Sequence, residues 1–188
     1  QNRIYVESNQ CLVFFSYALA ELFKKSKFVH IVRHPGDFIV SAIKKGWHLN
    51  DSIWEAGRVR MQNEQPWQTM SQIEKLAWTW SATNIFIRDF GETVGVERFI
   101  RFRMEDICSE IRQVHSLVHF IGAKAKMPND LIKAVQGKKI NEIEIHPEEP
   151  ANIKKVLYYP GYSEWDDDLK CAMKNHVGDL PNGFGYQI

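Results

Sequence analysis

The stretch KFVHIVRHPGDFIVSA, residues 27–42, decides the reading of the fold. Lys27–Val32 is a short, nearly continuous apolar run rich in β-branched residues, which suits a buried parallel strand. It stops at Arg33-His34-Pro35-Gly36-Asp37, a strong turn signal. Asp37 is then expected to cap a helix running to about Lys45. Strand, tight turn and helix in that order make half of a β-α-β unit.

Outward from this stretch the alternation continues. Upstream, Arg3–Val6 is a short β-like run. Leu12–Lys25 follows with Leu12, Phe15, Leu19, Leu22 and Phe23 at three- and four-residue steps, the spacing of a helix. Downstream, residues 46–70 are less regular, with Trp47, His48, Trp54 and Trp67 among polar neighbours. Ile73–Phe90 is the clearest helix, with Gly91 and Gly95 bracketing its end. Arg98–Phe102 is a third strand candidate, and Ile107–Ile121 is expected to be helical, capped by Asp106. Residues 122–163 are rich in Gly and Pro and read as loop with one short helix near Asp130–Val135. Asp166–Val177 closes the chain as an amphipathic helix before a Gly-Phe-Gly-Tyr tail. The order β-α-β-α-α-β-α-α argues for an α/β fold with a parallel sheet in a single domain, residues 1–188.

Composition narrows the function classes. The 188 residues carry a formal net charge of +1, so no global field points to nucleic acid or to a membrane surface. Any polyanion must be bound by a local site. No run of about 18 apolar residues exists, so no membrane span is expected. Cys11, Cys108 and Cys171 lie far apart without C-x-x-C or zinc spacing. They favour a reducing, cytoplasmic setting over a disulfide framework.

Chemistry concentrates at the carboxyl end of the first clear strand. Ligands of open α/β sheets bind at such ends. Arg33 stands there, offering a planar fork to phosphate oxygens. Ser41 follows eight residues later with a hydroxyl donor, and the intervening helix N-terminus favours negative charge. Together they make a credible site for one phosphate monoester. The plainer alternatives are an Arg33 paired with Asp37 or Glu105, and a Ser41 that is merely a helix surface residue.

At these residues the chain resembles the sulfotransferases that use 3'-phosphoadenosine-5'-phosphosulfate (PAPS). Their 3'-phosphate motif is a strand ending in Arg, a Pro/Asp turn and a Ser eight residues on, matched by Arg33 and Ser41. Tyr5-Val6-Glu7-Ser8-Asn9, Leu76-Ala77-Trp78-Thr79-Trp80-Ser81 with Asn84, Arg103-Met104-Glu105-Asp106-Ile107 and Gly183–Tyr186 resemble further family segments in the same order. The resemblance implies a three-layer, mostly parallel sheet of the P-loop nucleotide-binding type. It implies PAPS as donor, with 3'-phosphoadenosine-5'-phosphate as product, and a hydroxyl or amine acceptor, a small molecule or a carbohydrate. Glu7 would be the general base on that acceptor, although Ser8 stands where the family often has Lys. Lys138 and Lys139 would close over the 3'-phosphate, with a solvated charge pair as the plainer account.

The family's loop for the 5'-phosphosulfate, of the type P-K-S-G-T-T, is not found in the chain, whose first glycine is Gly36. The first strand and its loop are therefore expected to be absent from this chain, leaving a 3'-phosphate half-site in an N-terminally truncated domain. Two other classes stay open: a P-loop kinase or nucleotide hydrolase fragment, and a noncatalytic binding module on a degenerate sulfotransferase fold. His115 and His119, four apart on a helix, lack the H-E-x-x-H of a zinc site. No metal is required. Trp47, Trp54 and Trp67 could line an acceptor pocket, though core packing is the simpler account.

Overall fold

The computed structural model describes residues 4–48, 64–123, 128–136 and 159–188. These fall into two compact units, Gln1–Val32 with Ile87–Asn141, and Arg33–Phe86 with Glu142–Ile188. The chain is mixed α/β and mostly helical, with one parallel sheet of two strands among the described residues.

The first unit holds the sheet. Strand β1 (Phe28–Val32) pairs in parallel with β2 (Phe99–Arg103), Phe28 opposite Phe99 and Val32 opposite Arg103. The parallel strand expected from Lys27–Val32 is therefore present, and β2 lies within a residue of its expected bounds. Burial on both faces is not. His30 and Val32 are buried, whereas Ile31 between them is 52% exposed, so only one face is covered. The covered face is built around Phe90, whose ring meets Phe28 edge-on at 4.8 Å, Tyr17 at 5.1 Å and Phe99 at 6.2 Å. His30 and Arg101 are register partners, and Arg101 Nε donates to His30 Nδ1 at 3.0 Å.

Upstream of β1 the expectations need correction. Residues 4–9 form no ladder, so the expected strand at Arg3–Val6 is absent over its described part. The helix expected at Leu12–Lys25 is a 3-10 turn, Gln10–Phe15, followed by the short α1 (Ser16–Leu22). Asn9 starts the turn by accepting from the Cys11 N–H at 2.9 Å. The apolar stripe does not form a core: Phe15, Leu22 and Phe23 stay exposed, and the buried residues are Ser16 and Ala20. What ties α1 to the sheet is Arg98. Its guanidinium donates to the carbonyls of Ala20, Phe23 and Ser26 and to Ser26 Oγ, at 3.0–3.1 Å. Those are carbonyls at and beyond the helix end that lack helical partners.

Beyond β2, the single helix expected from Ile107 to Ile121 is two. These are α5 (Met104–Ser109) and α6 (Ile111–Phe120), broken at Glu110, whose backbone is extended. Asp106 does not cap: it lies in the first turn of α5, where Arg103 Nη2 reaches it at 2.9 Å. The short helix near Asp130 is present as α7 (Asn129–Gln136). Among the described residues, no group of three or more His, Cys, Asp or Glu side chains could hold a metal ion, and His115 Nε2 meets Asn129 Oδ1 at 3.1 Å. No helix of the described residues is long and apolar enough to cross a membrane.

The second unit is helical. It contains α2 (Pro35–Lys44), α3 (Glu64–Thr69), the first part of α4 (Gln72–Val94), α8 (Asp167–Val177) and the short α9 (Leu180–Gly183). Helix α2 buries Pro35, Gly36, Ile39, Ala42 and Ile43, the spacing of one helical face. Helix α4 buries Ile73, Leu76, Ala77, Trp80 and Asn84 on the same principle. Helix α4 runs past Gly91 and stops before Gly95, whose φ of +78 suits a residue without a Cβ. Gly91 serves a different need, since a Cβ there would lie 2.6 Å from Phe99 Cε1. Asp166 caps α8, accepting from the Leu169 N–H at 2.9 Å, and Gly178 ends it. The tail that follows is structural: Phe184 and Tyr186 are 7% and 5% exposed.

A candidate anion-binding turn after the first strand

Arg33 follows the last residue of β1 and belongs to the second unit, as does Ser41. Arg33 is half-buried, and among the described residues no hydrogen bond or ion pair engages its guanidinium. The pairing with Asp37 considered from sequence is thus not made. A cation held partly out of water without a counter-charge is costly, and an anionic ligand would remove that cost.

The helix after the turn begins earlier than expected and is capped differently. Pro35 is its first residue, and His34 is the cap, with Nδ1 accepting from the Gly36 N–H at 3.2 Å. Asp37, expected as cap, lies in the first turn instead. Proline is favoured at the first helical position, so the signal for this shift was present at Pro35. The consequence is chemical. Pro35 has no N–H, Gly36 donates to His34 and Phe38 donates to the His34 carbonyl at 2.9 Å. The Asp37 carboxylate adds negative charge to this end of α2. Of the first three helical positions only Asp37 keeps a backbone N–H without an acceptor among the described residues, so the helix backbone offers one donor and the others are side chains. Ser41 is the seventh residue of α2 rather than near its start. It is half-buried, one turn beyond Asp37 and on the same face.

Residues from α4 and from the C-terminal part of the second unit pack against the turn. Trp80, 2% exposed, donates its indole N–H to the Arg33 carbonyl at 3.0 Å. Its ring meets Phe184 edge-on at 5.9 Å. The His34 ring lies 4.7 Å from Tyr162 and 5.4 Å from Tyr186, centroid to centroid. Tyr162 covers Gly36 so closely that a Cβ there would fall under 3.0 Å from Cγ, Cδ2 and Cε2 of its ring. Burial, and then the charge of Asp37, push the Tyr162 phenol above its ordinary value, so it remains a neutral donor at physiological pH. Trp80, Tyr162 and Tyr186 were not assigned to this turn from sequence. Their partners lie tens to more than a hundred residues away, beyond the reach of local patterns.

Glu7 belongs to the first unit. It is exposed, in the irregular segment before the 3-10 turn, and its Oε2 accepts from the Tyr5 hydroxyl at 2.7 Å. That bond and the Glu7 charge raise the Tyr5 phenol above its usual range. Lys138, Lys139 and Trp54 lie outside the described residues. Trp47 and Trp67 are half-buried and packed, Trp47 edge-on to Phe38 at 5.8 Å and Trp67 to Trp78 at 5.7 Å. Comparison with models of known protein families, with curated proteins and with solved structures gives no match.

Proposed function

We propose that the chain is part of a PAPS-dependent sulfotransferase, and that the turn after β1 binds the 3'-phosphate of the donor. The observation that carries this reading is Arg33: a half-buried guanidinium at a strand's carboxyl end, with no partner among the described residues. A phosphate monoester would accept from its planar fork, and Ser41 would add a hydroxyl from α2.

In the reaction the acceptor's hydroxyl or amine forms a bond to sulfur as the bond from sulfur to the 5'-phosphate oxygen breaks. The leaving group is 3'-phosphoadenosine-5'-phosphate. Glu7 would take the acceptor's proton, exchanging the hydrogen bond it now accepts from Tyr5. A carbohydrate is the preferred acceptor class, because the Glu7 segment resembles carbohydrate-type members. The supporting test uses the two adenosine monophosphates. The 3'-isomer should bind more tightly than the 5'-isomer, and Arg33→Ala should bring the two together. Equal affinity of the wild type for both isomers would reject the site.

A further inference from the structure

We infer that Trp80 is a positioning residue for this phosphate site, acting on the ligand through the backbone of Arg33. The inference presupposes that the turn binds a phosphate monoester, as proposed above. The Arg33 carbonyl belongs to the peptide between the end of β1 and the cap of α2, a link that neither ladder nor helix holds. Peptide planarity means that fixing this carbonyl fixes the plane, and with it one of the two soft dihedrals that aim the Arg33 side chain. Trp80 Nε1 supplies that bond at 3.0 Å from a side chain that is itself 2% exposed. Trp80 is in turn held by the Phe184 ring and by Asn84, whose Nδ2 donates to the Trp80 carbonyl at 2.7 Å. On the next residues of the turn, Tyr162 presses on Gly36 and its ring lies tilted against His34. The short segment from Arg33 to Gly36 is thus pinned at both ends, by α4 at one and by the Tyr162 ring at the other.

Such pinning lowers the ordering cost of binding, because the stem of the guanidinium is already aimed. It also separates two roles for Trp80. A tryptophan that only fills the core would change stability, and its loss would weaken every ligand alike. A positioning tryptophan governs the 3'-phosphate term selectively.

The test replaces Trp80 with 3-benzothienylalanine by site-specific incorporation. This keeps the shape of indole and puts sulfur where the N–H was. Trp80→Phe is made beside it. Each protein is titrated calorimetrically with 3'-phosphoadenosine-5'-phosphate and with AMP, and its thermal midpoint is recorded. We expect the preference for the bisphosphate over AMP to fall about 3- to 10-fold in the benzothienyl protein, the worth of one hydrogen bond. AMP affinity should be unchanged. An unchanged preference in that protein would overturn the positioning role while leaving the phosphate site intact. A wild type without any preference would overturn the phosphate site itself. Should Trp80→Phe fail to fold, the benzothienyl protein still decides the question.

Discussion

Gly36→Ala should destabilise the second unit, although it places a better helix former in a helix. Gly36 is the second residue of α2 and is buried. In open space the exchange would gain up to about 1 kcal/mol. Here the new methyl would fall under 3.0 Å from three carbons of the Tyr162 ring, including Cγ, near the base of the side chain. The ring cannot clear it by a small tilt of its far end. It must turn away from His34 at 4.7 Å and Trp165 at 5.4 Å. Each such aromatic pair is worth about 0.5–1.5 kcal/mol, and overpacking typically costs about 1–3 kcal/mol. Taking the ring displacement and the overpacking as one cost of about 2–3 kcal/mol, and setting the helix gain of up to about 1 kcal/mol against it, a net loss of about 1–2 kcal/mol follows. Urea unfolding followed by tryptophan fluorescence would read it as a midpoint lowered by roughly 0.5–1 M at unchanged slope. The cycle with Tyr162→Ala is the sharper form. In that background Gly36→Ala should cost nothing or stabilise slightly. Wild-type stability for Gly36→Ala, or the same cost with and without Tyr162, would refute the close approach.

Other perturbations separate the remaining parts. Arg98→Met keeps the stem but removes four hydrogen bonds to the end of α1 and the loop after it. It should cost about 2–3 kcal/mol in denaturant unfolding and raise amide exchange near Ala20–Ser26. Ser71→Ala should cost about 1 kcal/mol, because Ser71 and Glu74 cap α4 reciprocally, the Ser71 N–H donating to Glu74 Oε2 at 2.7 Å. The Ser71 bonds, opposed by slight burial and helped by His176, hold Glu74 below its ordinary value. A depressed carboxylate stabilises above its unfolded pKa and loses that contribution as pH falls through its folded value. Glu74→Gln should therefore be less stable than wild type near neutrality and converge with it in acid, by thermal melts across pH. Met173→Ala, at a fully buried position of α8, should cost about 2–5 kcal/mol by the same unfolding assay.

What could be read from sequence was what is local. Lys27–Val32 announces a strand through its own composition, and Ile73–Phe90 announces a helix through its own period. Where a choice turned on one peptide, local signals competed. Asp37 is a good cap by type, yet His34 takes the position because Pro35 fits the first helical residue and a histidine nitrogen can accept the Gly36 N–H. Phe15, Leu22 and Phe23 have helical spacing but remain exposed, so periodicity there did not report burial. Gly36 read as a turn residue, whereas its constraint is the ring of Tyr162. Arg33 could be placed at a strand end from the chain alone, whereas Ser41, expected near the start of the helix, is its seventh residue. Trp80, Tyr162 and Tyr186 were not legible, because tertiary packing alone brings them to the turn. The expected parallel α/β character is present, while β1 and β2 pair with each other directly in register.

The most direct measurement on the phosphate site is a calorimetric titration of the chain with 3'-phosphoadenosine-5'-phosphate and with AMP, repeated on Arg33→Ala. The wild type should prefer the bisphosphate, and Arg33→Ala should remove about 10- to 150-fold of that preference, the loss expected for one charged hydrogen bond of about 1.5–3 kcal/mol. A wild type that binds both nucleotides equally, or an Arg33→Ala protein that keeps the full preference, would contradict the assignment of this turn to the donor's 3'-phosphate.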